Sequence, residues 1–186
     1  MLVKERKVYF VTTNRNKFEE VKNLASEYSI EVEWLKVPKL EIQSADLSEI
    51  ARYAAINSYM LYRVPIVVED TGLFIKSLNG FPGPYSNYVY NTIGLEGILK
   101  LMKDIDDRSA YFITYVAFVN SSDLVLFSGE VQGSIAREIR GDRGFGFDPI
   151  FIPNGYNKTF GEMSIEEKNK LSHRAKAFRK LFEFLT

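Results

Sequence analysis

The sequence predicts a mixed α/β fold, a long twisted β-sheet with helices on its faces. Three observations predict it. Short β-branched runs alternate with helical stripes in the first half, strand-like runs cluster in the second half, and a helical stripe closes the chain. No repeat, low-complexity tract or Gly/Ser linker divides the 186 residues, so a single domain over 1–186 is expected.

Val8 to Thr12 reads as a buried strand. From Asn16 the spacing turns helical, with Phe18, Val21, Leu24, Ala25 and Tyr28 on one face, and Asn16 with Glu19 resembles a cap. Ile30 to Lys36 reads as a second strand. Ser48 to Leu61 reads as a helix burying Ile50, Ala51, Ala54 and Leu61. Pro65 to Val68 is a short strand expected to end at Glu69-Asp70. Asn79 to Pro84 is a loop, because its glycines and prolines break both regular patterns. Leu95, Ile98, Leu99 and Met102 form another helical stripe. Ala110 to Val119, Leu124 to Val131 and Ser134 to Ile139 read as a strand series, with Asn120 to Asp123 as a hairpin turn. Gly141 to Pro149 is a shaped loop. Ser164 with Glu167 is a capping box, and a last helix after Ser172 buries Phe178, Leu181, Phe182 and Leu185.

Composition narrows the function classes. A hydrophobic fraction of 46% excludes global disorder. The 24 basic and 24 acidic residues cancel, which argues against nucleic acid or an acidic membrane as partner but leaves room for a local basic pocket. With no cysteine and one histidine, thiol catalysis, disulfides and multi-histidine metal sites are excluded within one chain. The N-terminus, Met-Leu-Val-Lys-Glu-Arg-Lys, lacks the apolar stretch of a signal peptide, and Ala110 to Val119 is too short to span a membrane. A soluble cytoplasmic protein is expected.

Four constellations could carry chemistry. Thr12, Thr13, Asn14, Arg15, Asn16 and Lys17 lie between a strand and a helix, where free backbone N–H groups make an anion site and Lys17 adds charge. The bland alternative is a polar turn. Glu41, Glu69 and Asp70 offer hard oxygen ligands near a strand end, which suits Mg²⁺ and water activation; the alternative is a solvated loop. Phe145, Gly146, Phe147 and Asp148 combine stacking faces, close backbone approach and an acceptor; the alternative is a packed loop. Lys168, His173 and Arg174 bring positive charge near the start of the last helix, where the dipole disfavours it; a lone histidine is otherwise more often structural.

Together these segments resemble the inosine triphosphate pyrophosphatase family, which acts on non-canonical purine nucleoside triphosphates. The matching stretches are Val11 to Lys17, Val68 to Gly72, Asn79 to Tyr85, Gly144 to Pro149, Thr159 to Met163 and Glu167 to Arg174. The resemblance implies an elongated mixed sheet with two lobes and a central cleft. It implies Mg²⁺-dependent hydrolysis of inosine, deoxyinosine and xanthosine triphosphates to monophosphate and pyrophosphate by a homodimer. By position, Thr12 to Lys17 form the phosphate turn, Lys17 and Asp70 are catalytic, and Glu41 and Asp70 hold Mg²⁺. Thr71 contacts substrate, Phe145 to Asp148 hold the base with His173 and Arg174, and Lys168 completes the site. Thr13 stands where many members have glycine, Asn87 where a basic residue is common, and Phe147 where Tyr or Trp is often seen. Rival readings are a Maf-type pyrophosphatase on other nucleotides and a non-enzymatic nucleotide- or single-strand-binding module. The Ser-His-Arg174 ending and the Phe145 to Asp148 loop oppose the first, and the acids at Glu41 and Asp70 oppose the second.

Overall fold

The structure, a computed structural model, describes residues 6–186. The start of the charged N-terminal segment, residues 1–5, lies outside the described residues. Seven strands form one sheet in the order β2-β1-β3-β5-β6-β7, with the short β4 on β3. These are β1 (Lys7–Val11), β2 (Glu31–Leu35), β3 (Ile66–Ile75), β4 (Pro82–Gly83), β5 (Ser109–Val119), β6 (Leu124–Ile135) and β7 (Phe151–Pro153). The helices are α1 (Arg15–Ala25), α2 (Leu47–Tyr62), α3 (Ser86–Thr92), α4 (Gly94–Leu101), α5 (Ile165–Asn169) and α6 (His173–Leu185). The mixed α/β expectation holds. Among the described residues no helix is long and apolar enough to cross a membrane.

Two helix layers follow from the alternation of strand side chains. Val8, Phe10 and Val67 face one way and meet Phe18, Val21 and Leu24 of α1 and Phe178, Leu181 and Phe182 of α6. Val11, Ile66 and Val68 face the other way and meet Ala51, Ala54 and Ala55 of α2. A third apolar cluster joins Leu73 and Ile75 at the far end of β3 to Ile98, Met102, Phe112, Phe151 and Phe160. The long strands β3, β5 and β6 thus run through more than one core region.

β3 is where the structure departs most from the sequence reading. The strand does not stop at Glu69-Asp70 but runs on to Ile75, paired throughout with β5 from Ile66↔Val119 to Ile75↔Ala110. Its other edge changes neighbour. Parallel β1 pairs it at Ile66 and Val67, and antiparallel β4 pairs it at Leu73 and Phe74. Between those contacts, Glu69 to Thr71 lie on an edge without a strand neighbour. Gly72 admits β4, because a β-carbon there would lie 2.6 Å from the Gly83 carbonyl oxygen.

Smaller corrections have local causes. Asn14, not Asn16, caps α1, accepting from the Lys17 backbone N–H, and Glu19 instead pairs with Arg15 one turn away. Leu61 is exposed, since the buried stripe of α2 ends at Ser58. Ser134 continues β6, which ends at Ile135, so there is no strand to Ile139. The capping box at Ser164-Glu167, the Ser172 cap and the Asn120 to Asp123 turn all stand as expected.

Candidate functional site

The free stretch of β3 opens onto a cleft of about 890 Å³. Because the edge is bare, side chains from both faces of the sheet reach it. Asp70 and Thr71, which point to opposite faces, both line the cleft.

One end is charged. After β1 the chain turns through Thr12, Thr13 and Asn14 into α1. The Thr12 hydroxyl accepts from the Asn14 N–H, and the Trp34 indole donates to the Thr12 carbonyl at 2.7 Å. These bonds hold the turn, and the helix start leaves the Arg15 and Asn16 N–H groups without a partner among the described residues. Thr12, Thr13, Asn14 and Lys17 line the cleft, whereas exposed Arg15 and Asn16 are not part of its wall. The Lys17 ammonium lies 2.6 Å from Glu69.

Across from the turn is an ammonium that sequence reading missed. Lys39 Nζ donates to the Glu69 carbonyl oxygen at 2.9 Å and to Asp70 Oδ1 at 3.0 Å, and lies 3.2 Å from Glu41 Oε1. Glu41 and Asp70 therefore converge on one cation. Burial pushes the Asp70 carboxyl up from its ordinary value, against the opposing pull of Lys39 and Lys17. Burial would lower Lys39, but Asp70 and Glu41 outweigh it and hold the ammonium protonated.

The other end is aromatic. Gly144 and Gly146 adopt positive φ, and a β-carbon at Gly144 would collide with the Asp148 carboxylate. That close approach lets Asp148 accept from the Phe145 N–H at 2.8 Å. Phe145, Gly146, Phe147 and Asp148 all line the cleft, with Phe147 edge-on to Tyr90 at 5.6 Å. His173 also lines it, its ring stacked on Phe112 with centroids 4.7 Å apart. Asn87, at the departure noted in the sequence, is part of the wall as well.

Beneath the cleft lies a buried charge network. Arg174 donates through Nε and Nη2 to Glu69 and through Nη1 to Glu20. Lys168 donates to Glu20 and Asp148, both at 2.6 Å. Lys168 is not part of the cleft wall, whereas Arg174 is, with one donor from each of its three nitrogens directed at a carboxylate. Arg174 thus lines the cleft while bracing Glu69 and Glu20, and Lys168 lies behind the wall, where it braces Asp148. Burial would raise Glu69 and Glu20. For Glu69, Arg174 and Lys17 outweigh it; for Glu20, Lys168 and Arg174 do, and both carboxyls stay below the usual range. Burial pushes His173 well below its ordinary value, and Arg174 and Lys168 push it further, so the ring is neutral.

Glu20, Lys39 and Thr114 were not picked out by sequence reading. Two of them left a trace. Glu20 is an acid on the apolar stripe of α1, beside Val21 and one turn before Leu24, and Thr114 interrupts the most apolar run of the chain. Lys39 left none.

Fold and cleft together define an open-sheet α/β protein whose cleft, charged at one end and aromatic at the other, suits a small ligand with an anionic part and a flat part. A model described as the Ham1 family matches residues 8–184, and the chain belongs to that family. A dITP/XTP pyrophosphatase of Saccharolobus solfataricus is 55% identical over 185 residues, covering 100% of this chain and 96% of that one. One of Pyrococcus horikoshii is 50% identical over 181 residues, covering 96% of each. A solved HAM1 protein from Coxiella burnetii superposes with a TM-score of 0.84 at 29% identity, covering 96% of this chain and 98% of that one. The family resemblance carried by the sequence motifs is borne out.

Proposed function

We propose that the protein hydrolyses non-canonical purine nucleoside triphosphates (inosine, deoxyinosine and xanthosine triphosphates) to the monophosphate and pyrophosphate with Mg²⁺, as one domain over residues 1–186. The observation that carries this is the two-ended cleft on the bare edge of β3, in a chain about half identical to proteins named dITP/XTP pyrophosphatase.

The turn from Thr12 to Lys17 receives phosphate oxygens through its N–H groups and the Lys17 ammonium. Glu41 and Asp70 hold the metal. The donor set fits Mg²⁺, because two carboxylates already converge on one cation, and Mg²⁺ commonly takes one or two carboxylates with phosphate oxygens and waters completing its shell. When bound, Mg²⁺ neutralises charge on the phosphate oxygens. Asp70, with its raised carboxyl, orients the attacking water and takes its proton. The water oxygen bonds to the α-phosphorus, the α-phosphorus–oxygen bond breaks, and pyrophosphate leaves toward Lys17. Thr71 contacts the phosphates beside Asp70. Phe145 to Asp148 receive the purine with His173 and Arg174, and Lys168 completes the site from behind Asp148.

A nucleotide panel with Mg²⁺, scored for pyrophosphate against phosphate, tests this reading. Release of phosphate alone, or equal turnover of adenosine and inosine triphosphates, contradicts it. Action on the cytoplasmic nucleotide pool and a homodimer belong to the same proposal. Exposed Tyr85, Tyr88, Ile93 and Leu101 offer apolar surface for a partner copy, and sedimentation equilibrium measures the association.

A further inference from the structure

The proton on His173 has two possible homes, and one hydroxyl decides between them. His173 is the chain's one histidine, and its ring plane is fixed by the stack on Phe112. Nδ1 lies 2.6 Å from the hydroxyl of fully buried Thr114, which is itself hydrogen-bonded to the hydroxyl of Thr71 beside Asp70. Nε2 has no protein partner among the described residues and is the ring's remaining polar atom for the cleft. A neutral imidazole has one donor and one acceptor, and a hydroxyl has one proton to give. Two orders are therefore available. Either Thr71 donates to Thr114 and Thr114 to Nδ1, leaving N–H at Nε2, or the chain runs backwards and Nε2 is a bare acceptor.

We infer that Thr114 donates to Nδ1 and so holds His173 with its proton on Nε2, making Thr114 the positioning residue that matches the site to a 6-oxo purine and mismatches it to a 6-amino one. This rests on the proposed function for its ligand. Among the described residues, His173 Nε2 is a side-chain nitrogen of the cleft wall without a protein partner, whereas each nitrogen of Arg174, also in the wall, and that of Lys168 already donate to carboxylates. An N–H there pairs with a ring carbonyl, whereas it meets an adenine amino group donor to donor. Thr114 never touches the base. It acts through the proton it places.

The single histidine makes the test direct. Imidazole ¹H–¹⁵N correlation spectra of ¹⁵N-histidine-labelled protein report the tautomer without turnover. The expected result is protonated Nε2 with bare Nδ1 in the wild type, loss of that fixed state in Thr114→Val, and its return in Thr114→Ser. With it, kcat/KM for inosine triphosphate falls about tenfold in Thr114→Val, mostly through KM, while that for adenosine triphosphate does not fall, and Thr114→Ser recovers the difference. A wild-type ring protonated on Nδ1, or an unchanged tautomer in Thr114→Val, overturns the inference. A changed tautomer with unchanged selectivity overturns its link to base choice. A wild-type protein that releases no pyrophosphate from any nucleotide fails the proposed function instead, and the spectrum still decides the tautomer.

Discussion

Consecutive residues of a strand face opposite ways, and Glu69 and Asp70 use that to serve different ends. Glu69 turns toward α1 and α6 and is gripped by Arg174 and Lys17. Asp70 turns toward the cleft and shares Lys39 with Glu41. The acid pair was legible in the sequence, but the division of labour was not, because two adjacent charges read as the end of a strand. Asp70→Asn should cost kcat at least about a hundredfold, the scale of a lost general base. Its folded state should not suffer, since burial already disfavours this charge and the amide keeps the shape. Steady-state kinetics beside a denaturant titration check both halves; turnover near the wild type contradicts the role. Lys39 sits where Glu41 and Asp70 converge, so it competes with any divalent ion there. Lys39→Met should tighten Mg²⁺ or Mn²⁺ binding without nucleotide at least about fivefold, because a like charge about 4 Å away costs ~1 kcal/mol even in water. Titration calorimetry reads this, and unchanged affinity speaks against the competition.

At the scale of elements, the apolar stripes carried most of the fold. Helices with a capping serine were legible at both level and boundary, because the cap and the stripe agree at Ser164 and Ser172. α3 and β4 were not, since Pro82 and Gly83 break periodicity and their two-residue strand is defined only by its pairing with β3. The buried ties between elements were equally hidden. Glu20 of α1 receives Lys168 of α5 and Arg174 of α6, joining three helices that span almost the whole chain. Glu20→Gln leaves two buried cations with one carboxylate fewer, which typically costs about 3–5 kcal/mol. Urea unfolding at neutral pH should show that loss. A change below about 1 kcal/mol means that the network does not brace the fold. Ser172→Ala, which removes only the α6 cap, should cost about 1 kcal/mol and sets the scale of an ordinary local defect.

Across the whole molecule the zero net charge hides a segregated arrangement. Glu20, Glu69 and Asp148 are buried with Lys168 and Arg174, and with half-buried Lys17 beside them, around one neutral imidazole. Spacing could suggest that these residues matter but not that they meet, because the meeting depends on how β3, α1 and α6 stack. This arrangement fixes how stability responds to acid. Glu20 and Glu69 sit below their ordinary 4.5 in the fold, so their contribution is intact above 4.5 and is lost only as pH falls through their lower folded values. His173 behaves differently. Its ordinary value is 6.5 and its folded value lies well below, so the unfolded ring takes up a proton that the folded ring refuses. Stability should therefore fall from about pH 6.5 downward, by at most ~1.4 kcal/mol per pH unit from this one group. Asp70 and Asp148, raised above 3.8, bind protons more readily in the fold and work in the opposite direction. The ring is isolated by comparing the wild type with His173→Gln, whose amide keeps a polar group near Thr114 but does not titrate. Urea midpoints at pH 7.5, 6.5, 5.5 and 5.0 should diverge, the variant losing less stability per unit than the wild type throughout the lower three values. Parallel curves would mean that the buried imidazole takes its proton in the fold after all, and that Arg174 and Lys168 do not keep it neutral.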